Sequence, residues 1–107
     1  MKIILDVMGG DNAPDANIMG AVNSINKVKA EVVLVGKEEM IRTKIKEFYG
    51  KEMEEISDRL KIVNATETIE MDEQPTVAIR HKKDSSMVVG FNMLKDGKGD
   101  VFISAGN

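Results

Sequence analysis

Two carboxylates flank a pair of glycines near the start of the chain, and this segment has clear potential for chemistry. Directly after an apolar run, the residues read Asp6-Val-Met-Gly9-Gly10-Asp11-Asn-Ala-Pro14. The glycine amides and the start of a following helix suit an anion such as phosphate. Asp6 and Asp11 together would instead suit a magnesium ion. A tight turn with an N-cap, in which Asp6 accepts hydrogen bonds from neighbouring amides, fits the same residues without a ligand.

A basic segment lies further along the chain and reads Arg80-His81-Lys82-Lys83-Asp84-Ser85-Ser86. Ammonium and hydroxyl groups beside the free amides of a helix start would bind an anionic group. The alternative is a solvated basic helix end, favoured by the helix dipole, with Asp84 or Ser85 as the N-cap of the next helix. We expect His81 to be a surface histidine rather than a general base.

The last segment of interest is Ser104-Ala-Gly106-Asn107, at the exit of a short apolar run. Ser104 and Asn107 are able to donate to an oxyanion or a phosphate, and an ordinary strand-to-helix turn explains the same residues. Because the carboxyl ends of parallel strands lie at one edge of a sheet, we expect the three segments to converge there.

The elements that must position these segments follow from the apolar pattern. Apolar runs predict strands at Lys2–Val7, Glu31–Val35, Leu60–Asn64 and Val101–Ile103. Helical spacing predicts helices at Asp15–Val28, Lys37–Tyr49, Thr76–Lys83 and Ser85–Lys95, with one or two further turns within Lys51–Asp58. The inward face of the helix at Ser85–Lys95 is predicted to carry Met87, Val88, Phe91 and Leu94 or Met93. Strands without polar alternation, separated by helices, predict a three-layer αβα fold with a mainly parallel sheet.

Composition bounds the function classes. With 107 residues the chain forms one domain at most, and its net charge of −3 implies no general attraction to nucleic acid. The absence of cysteine excludes thiolate metal sites and cysteine nucleophiles, and a single histidine excludes a zinc site built on several histidines. The longest apolar run, Val32–Val35, is too short to span a bilayer, so we expect a cytoplasmic protein. Asn107 lies at the exit of a strand, where a covering helix should follow. We therefore expect residues 1–107 to be the N-terminal part of a larger α/β domain, truncated after its fourth strand.

The three segments, in this order, resemble the bacterial phosphate acyltransferases, the acyl-carrier-protein:phosphate transacylases of fatty acid and phospholipid synthesis. The opening Asp6–Pro14 segment, the stretch Pro75–Met87 and the terminal Ser104–Asn107 each look like a signature of that family. The resemblance spans the whole chain. No single segment is specific, but their joint occurrence is.

The resemblance implies an α/β fold similar to the phosphotransacetylase and isocitrate/isopropylmalate dehydrogenase group. It implies transfer of a fatty acyl group from acyl carrier protein to inorganic phosphate, with no cofactor or metal. The acyl phosphate would serve a membrane-bound glycerol-3-phosphate acyltransferase. Members are homodimers that associate peripherally with the membrane through a later part of the chain.

Site candidates come from the residues and the resemblance together. Residues expected to bind phosphate or substrate are Asp6, Gly9, Gly10, Asp11, Lys82, Lys83, Ser85, Ser104, Gly106 and Asn107. Lys83 and Asn107 are the candidates for a catalytic role. Two other functions stay open at this point: a magnesium-dependent phosphotransferase using Asp6 and Asp11, and a non-catalytic α/β interaction module.

Overall fold

A computed structural model describes residues 1–70 and 72–105 of the chain. The strands are β1 (Lys2–Asp6), β2 (Glu31–Gly36), β3 (Leu60–Asn64) and β4 (Val101–Ile103). The helices are α1 (Asp15–Ser24), α2 (Glu38–Tyr49), α3 (Met53–Ile56), α4 (Pro75–His81) and α5 (Ser86–Lys95). The predicted alternation of strands and helices is confirmed, and most element boundaries agree within two residues.

All described strand pairs are parallel, and the order across the sheet is β3-β2-β1-β4. Successive residues of a strand point to opposite faces, so β2 contributes to two cores. Val32 and Leu34 pack beneath α1 and α2, whereas Val33 and Val35 pack on the other face with residues of α5. The three-layer αβα fold predicted from the sequence is thus confirmed.

The direction of the chain reverses across the sheet at β1. The chain first steps from β1 to β2 and β3 with α1 and α2 on one face, then returns past β1 to β4 with α5 on the other face. The connection to β4 runs the opposite way across the sheet and also lies on the opposite face, so it keeps the hand of the first two connections. Connections between parallel strands are right-handed.

The first helix is shorter than predicted. It ends at Ser24, and Val28, the last residue of the predicted helix, is 36% exposed. The Ser24 hydroxyl donates to the Gly20 carbonyl, competing with the helical pattern. Arg59, at the start of β3, donates to the carbonyl oxygens of Ile25 (2.9 Å) and Val28 (2.5 Å). The chain after α1 is therefore held by an arginine from a distant element, which local periodicity does not reveal.

The predicted inward face of α5 was wrong at Phe91. Phe91 is 56% exposed, while Ser86 and Gly90 are buried. The helix approaches the sheet closely through these small residues: a Cβ placed on Gly90 would lie 3.0 Å from Cδ1 of Phe102 in β4 and nearer still to Cε1. The prediction followed the largest apolar side chains, whereas the packing depends on the smallest ones.

Within the described ranges, none of the helices combines the length and the apolar character needed to cross a membrane.

Candidate functional site

The candidate site is the crevice at the carboxyl ends of β1 and β4. These strands are neighbours in the sheet, with Leu5 paired to Ile103, and β1 is where the chain reverses its direction across the sheet. Ligands of open α/β sheets bind at such switch points because the connections on either side diverge and leave a crevice.

The Asp6 side chain connects the three predicted segments. It lies at the end of β1, is 2% exposed, and accepts hydrogen bonds from the hydroxyls of Ser86 (2.5 Å) and Ser104 (2.8 Å) and from the amide of Met8 (3.0 Å). A carboxylate is an acceptor with two oxygens, so it suits three converging donors. The expected convergence of the three segments is therefore observed among the described residues.

The serine hydroxyls at this junction are directed to Asp6. A hydroxyl has one hydrogen, and Ser104 and Ser86 each give theirs to the carboxylate. In this arrangement neither hydroxyl donates to a ligand. The donors left for an anion in this crevice would be backbone amides and cationic side chains.

The glycine loop is held against the exit of β4. Gly10 has a φ of +97°, and a Cβ at this position would lie 3.1 Å from Cβ of Ala105. Asn17 of α1 donates to the carbonyl oxygens of Val7 (2.8 Å) and Gly9 (2.7 Å). Gly10 is thus required both for its backbone conformation and for close approach.

Asp11 is exposed, whereas Asp6 is buried. Asp11 lines a polar cavity beside β2 and β3 with Lys37, Thr68 and Glu70, and Asp6 is not among the lining residues. The Thr68 hydroxyl there is buried and has no hydrogen-bond partner among the described residues. Within residues 1–70 and 72–105, no group of three or more acidic, histidine or cysteine side chains is arranged to hold a metal.

The start of α5 is fixed by the loop after β3. Ser85 is fully buried and its hydroxyl accepts from the amide of Val88 (3.2 Å), so of the two predicted N-cap candidates it is Ser85 that caps the helix. Asp84 instead accepts from the amide (2.9 Å) and the hydroxyl (2.5 Å) of Thr66. These hydrogen bonds favour the charged carboxylate and lower the pKa of Asp84.

The two neighbouring lysines have different environments. Lys82 donates to Glu73 (2.5 Å) and to the carbonyl of Thr68 (2.8 Å), and the Glu73 carboxylate raises the pKa of the Lys82 ammonium. Lys83 is exposed and forms no ion pair with any residue that the structure describes. Lys82 is thus engaged in fixing the loop, whereas the exposed Lys83 is not held in this way by the described residues. His81 is exposed, as expected.

The Glu73–Lys82 pair predicts an acid-sensitive contribution to stability. The hydrogen bond from Lys82, followed by that from the Glu70 amide, lowers the pKa of Glu73. A depressed carboxyl pKa stabilises the folded state above the unfolded-state pKa, and this stabilisation is lost as the pH falls through the folded-state value. We therefore expect Glu73→Gln to flatten the decline in unfolding free energy between about pH 6 and pH 3, measured by urea denaturation. Parallel curves for the two proteins would contradict this role.

Several residues that shape the site were missed from the sequence. Asn17 and Thr66 were not predicted to contribute, and Ser86 belonged to the basic segment but was not among the predicted site residues, yet each makes a hydrogen bond that fixes a strand-exit loop. The serine doublet held a partial signal, since a single N-cap needs one serine and leaves the other unexplained. Gly106 and Asn107, both predicted site residues, lie outside the described residues.

The fold is that of a parallel α/β protein with a candidate ligand crevice at a topological switch point. A family model described as "Fatty acid synthesis protein" matches residues 1–107, and the chain belongs to this family. Among curated relatives, proteins named "Phosphate acyltransferase" are 48% identical in Clostridioides difficile (strain 630), over 107 residues, and 46% identical in Acetivibrio thermocellus, over 108 residues. A relative of the same name in Magnetococcus marinus is 48% identical over 109 residues. Each match covers all of this chain and 29–30% of the relative's length.

Proposed function

We propose that these residues are the N-terminal part of an enzyme that transfers a fatty acyl group from acyl carrier protein to inorganic phosphate. The resulting acyl phosphate would be the donor for phospholipid synthesis. Family membership and the names of the relatives support an acyltransferase. The observation that carries the assignment to this crevice is the Asp6 carboxylate, which ties the exits of β1 and β4 to the start of α5.

The proposed reaction needs no nucleophile from the protein. A phosphate oxygen attacks the thioester carbonyl carbon, forming a C–O bond and a tetrahedral oxyanion. The oxyanion collapses, the C–S bond breaks, and the carrier-protein thiolate leaves and takes up a proton. The step balances without a cofactor. The protein has to hold phosphate beside the carbonyl and stabilise negative charge at two places.

We assign these tasks to the predicted residues. Lys83 provides the cation for phosphate, because the Lys82 ammonium is already bound to Glu73 and Thr68. The amides of Gly9 and Gly10 are the proposed donors of the glycine loop. Ser104 acts by orienting the β4 exit through Asp6, and Asn107 is the proposed donor to the oxyanion.

The proposal extends to the complete protein, meaning the longer chain of which residues 1–107 form the N-terminal part of one α/β domain. We expect it to be a cytoplasmic homodimer that associates peripherally with the membrane. Its partners would be acyl carrier protein, inorganic phosphate and, through acyl phosphate, a membrane-bound glycerol-3-phosphate acyltransferase. Residues 1–107 alone are expected to be inactive.

The role of Lys83 is tested by its replacement with alanine in the complete protein. We expect the KM for phosphate to rise about tenfold or more, because a charge-assisted contact to the substrate is lost. The KM for acyl carrier protein should change much less. Lys83→Arg should recover part of the phosphate affinity.

The matched control for this prediction is Lys51→Ala, which removes the same charge from an exposed position between α2 and α3. It should leave both KM values unchanged. A phosphate KM that is the same in Lys83→Ala and in the parent protein would refute the assignment of Lys83.

A further inference from the structure

An apolar groove runs along the outer side of α5, between α4 and β4. Its walls include Ile79, Met87, Val88, Phe91, Phe102 and Ser104. Phe91 is 56% exposed and Ile79 is 44% exposed. Single exposed apolar residues are normal, but neighbouring large ones lining one groove mark a contact surface.

We propose that in the complete protein this groove seats the helix that follows β4. The inference rests on the proposal that residues 1–107 are part of a larger α/β domain. The place where the chain leaves the sheet supports it, because Ser104 directly follows β4 and itself lines the groove. An element that begins after Ala105 therefore starts at the mouth of the groove.

The right-handed connections of this fold would place the helix on the same face of the sheet as the groove. The step from β3 back to β4 crosses the sheet with α5 on its face. A parallel strand added beyond β4 continues in that direction, and a right-handed connection to it places its helix on the α5 face. That helix would lie beside α5 and over Phe102, where the groove is.

The position of β4 in the sheet and the length of the relatives both allow for a further strand and its helix. Among the described strands β4 is terminal in the sheet, and strand edges of this kind are normally paired or covered. The relatives are long enough to supply the element, since this chain spans about 30% of their length.

Thiol labelling of the complete protein tests the proposal directly. Residues 1–107 contain no cysteine, so Phe91→Cys introduces one reporter into this region, read by mass spectrometry of the peptide that contains it. Glu47→Cys, at an exposed position on α2, is the matched control. Alkylation rates are compared between native and urea-unfolded protein, and Ile79→Cys provides a second reporter if Phe91→Cys does not fold.

We expect the thiol at position 91 to react at least about 50-fold more slowly in the native protein, while the thiol at position 47 stays within about fivefold of its unfolded rate. Equal native rates at the two positions would overturn the proposal. Protection that appears only with acyl substrate, or only at high protein concentration, would overturn it in favour of an acyl chain or a second copy. The labelling does not depend on catalysis, so a protected residue 91 in an inactive protein would uphold this inference and refute the proposed function.

Discussion

Replacing Asp6 with alanine should destabilise the protein by on the order of 3–5 kcal/mol, because it leaves buried donors without an acceptor. The hydroxyls of Ser86 and Ser104 and the amide of Met8 all donate to this carboxylate, which is 2% exposed. Asp6→Asn keeps the volume and part of the acceptor capacity but loses the charge, so its cost should be smaller, about 1–3 kcal/mol. Urea denaturation followed by circular dichroism measures both.

Two further variants test whether this effect is specific to the place where Asp6 connects the three segments. Asp11→Asn makes the same chemical change at an exposed carboxylate and should shift the unfolding free energy by no more than about 0.5 kcal/mol. Ser86→Ala combined with Asp6→Asn should cost less than the sum of the two single changes, because both remove the same hydrogen bond. If Asp6→Asn and Asp11→Asn have equal effects, Asp6 does not tie the three segments together.

Alanine substitution should have opposite effects at two helical glycines. In most helices Gly→Ala is stabilising by about 1 kcal/mol. At Gly20 in α1 a new Cβ would meet no atom within 4 Å among the described residues, so Gly20→Ala should be stabilising by about that amount in residues 1–107. At Gly90 the new Cβ would overlap the Phe102 ring, and Gly90→Ala should be destabilising by about 1–2 kcal/mol after the propensity gain is subtracted.

The Gly90 effect should depend on the Phe102 ring. In a Phe102→Leu background the overlap is reduced, so Gly90→Ala should cost less there than in the parent protein, as measured by thermal unfolding of all four proteins. Gly90→Ala that raises the melting temperature in the parent protein would show that α5 does not approach β4 as described.

The strands and helices could be predicted from the sequence because the patterns that indicate them are local. The runs at Leu60–Asn64 and Val101–Ile103 matched the observed strands, since a continuous apolar run bounded by polar residues has few alternatives in an α/β chain. The position of Asp6 at the end of a strand was also readable. Parallel strand exits then placed the first and third segments at one edge.

The hydrogen-bond partners of the site residues could not be predicted from local patterns in the sequence. Asp6 bonds to residues 80 and 98 positions away, and no periodic pattern encodes such pairings. Lys82 and Lys83 are adjacent and alike in sequence, yet only Lys82 meets Glu73, because the loop after β3 folds back onto α4. At Phe91 the helical period was right, but the choice of inward face depended on how closely α5 approaches the sheet.

The most direct test of the proposed function follows labelled inorganic phosphate. The complete protein is incubated with long-chain acyl carrier protein and ³²P-phosphate, with and without a chelator. The account predicts that label enters an organic-extractable acyl phosphate at the rate at which the carrier-protein thiol appears, one for one, and that the chelator has no effect. Thiol release without labelled product, phosphate transfer that requires magnesium, or no turnover at all would contradict it, the last two in favour of a phosphotransferase or an interaction module.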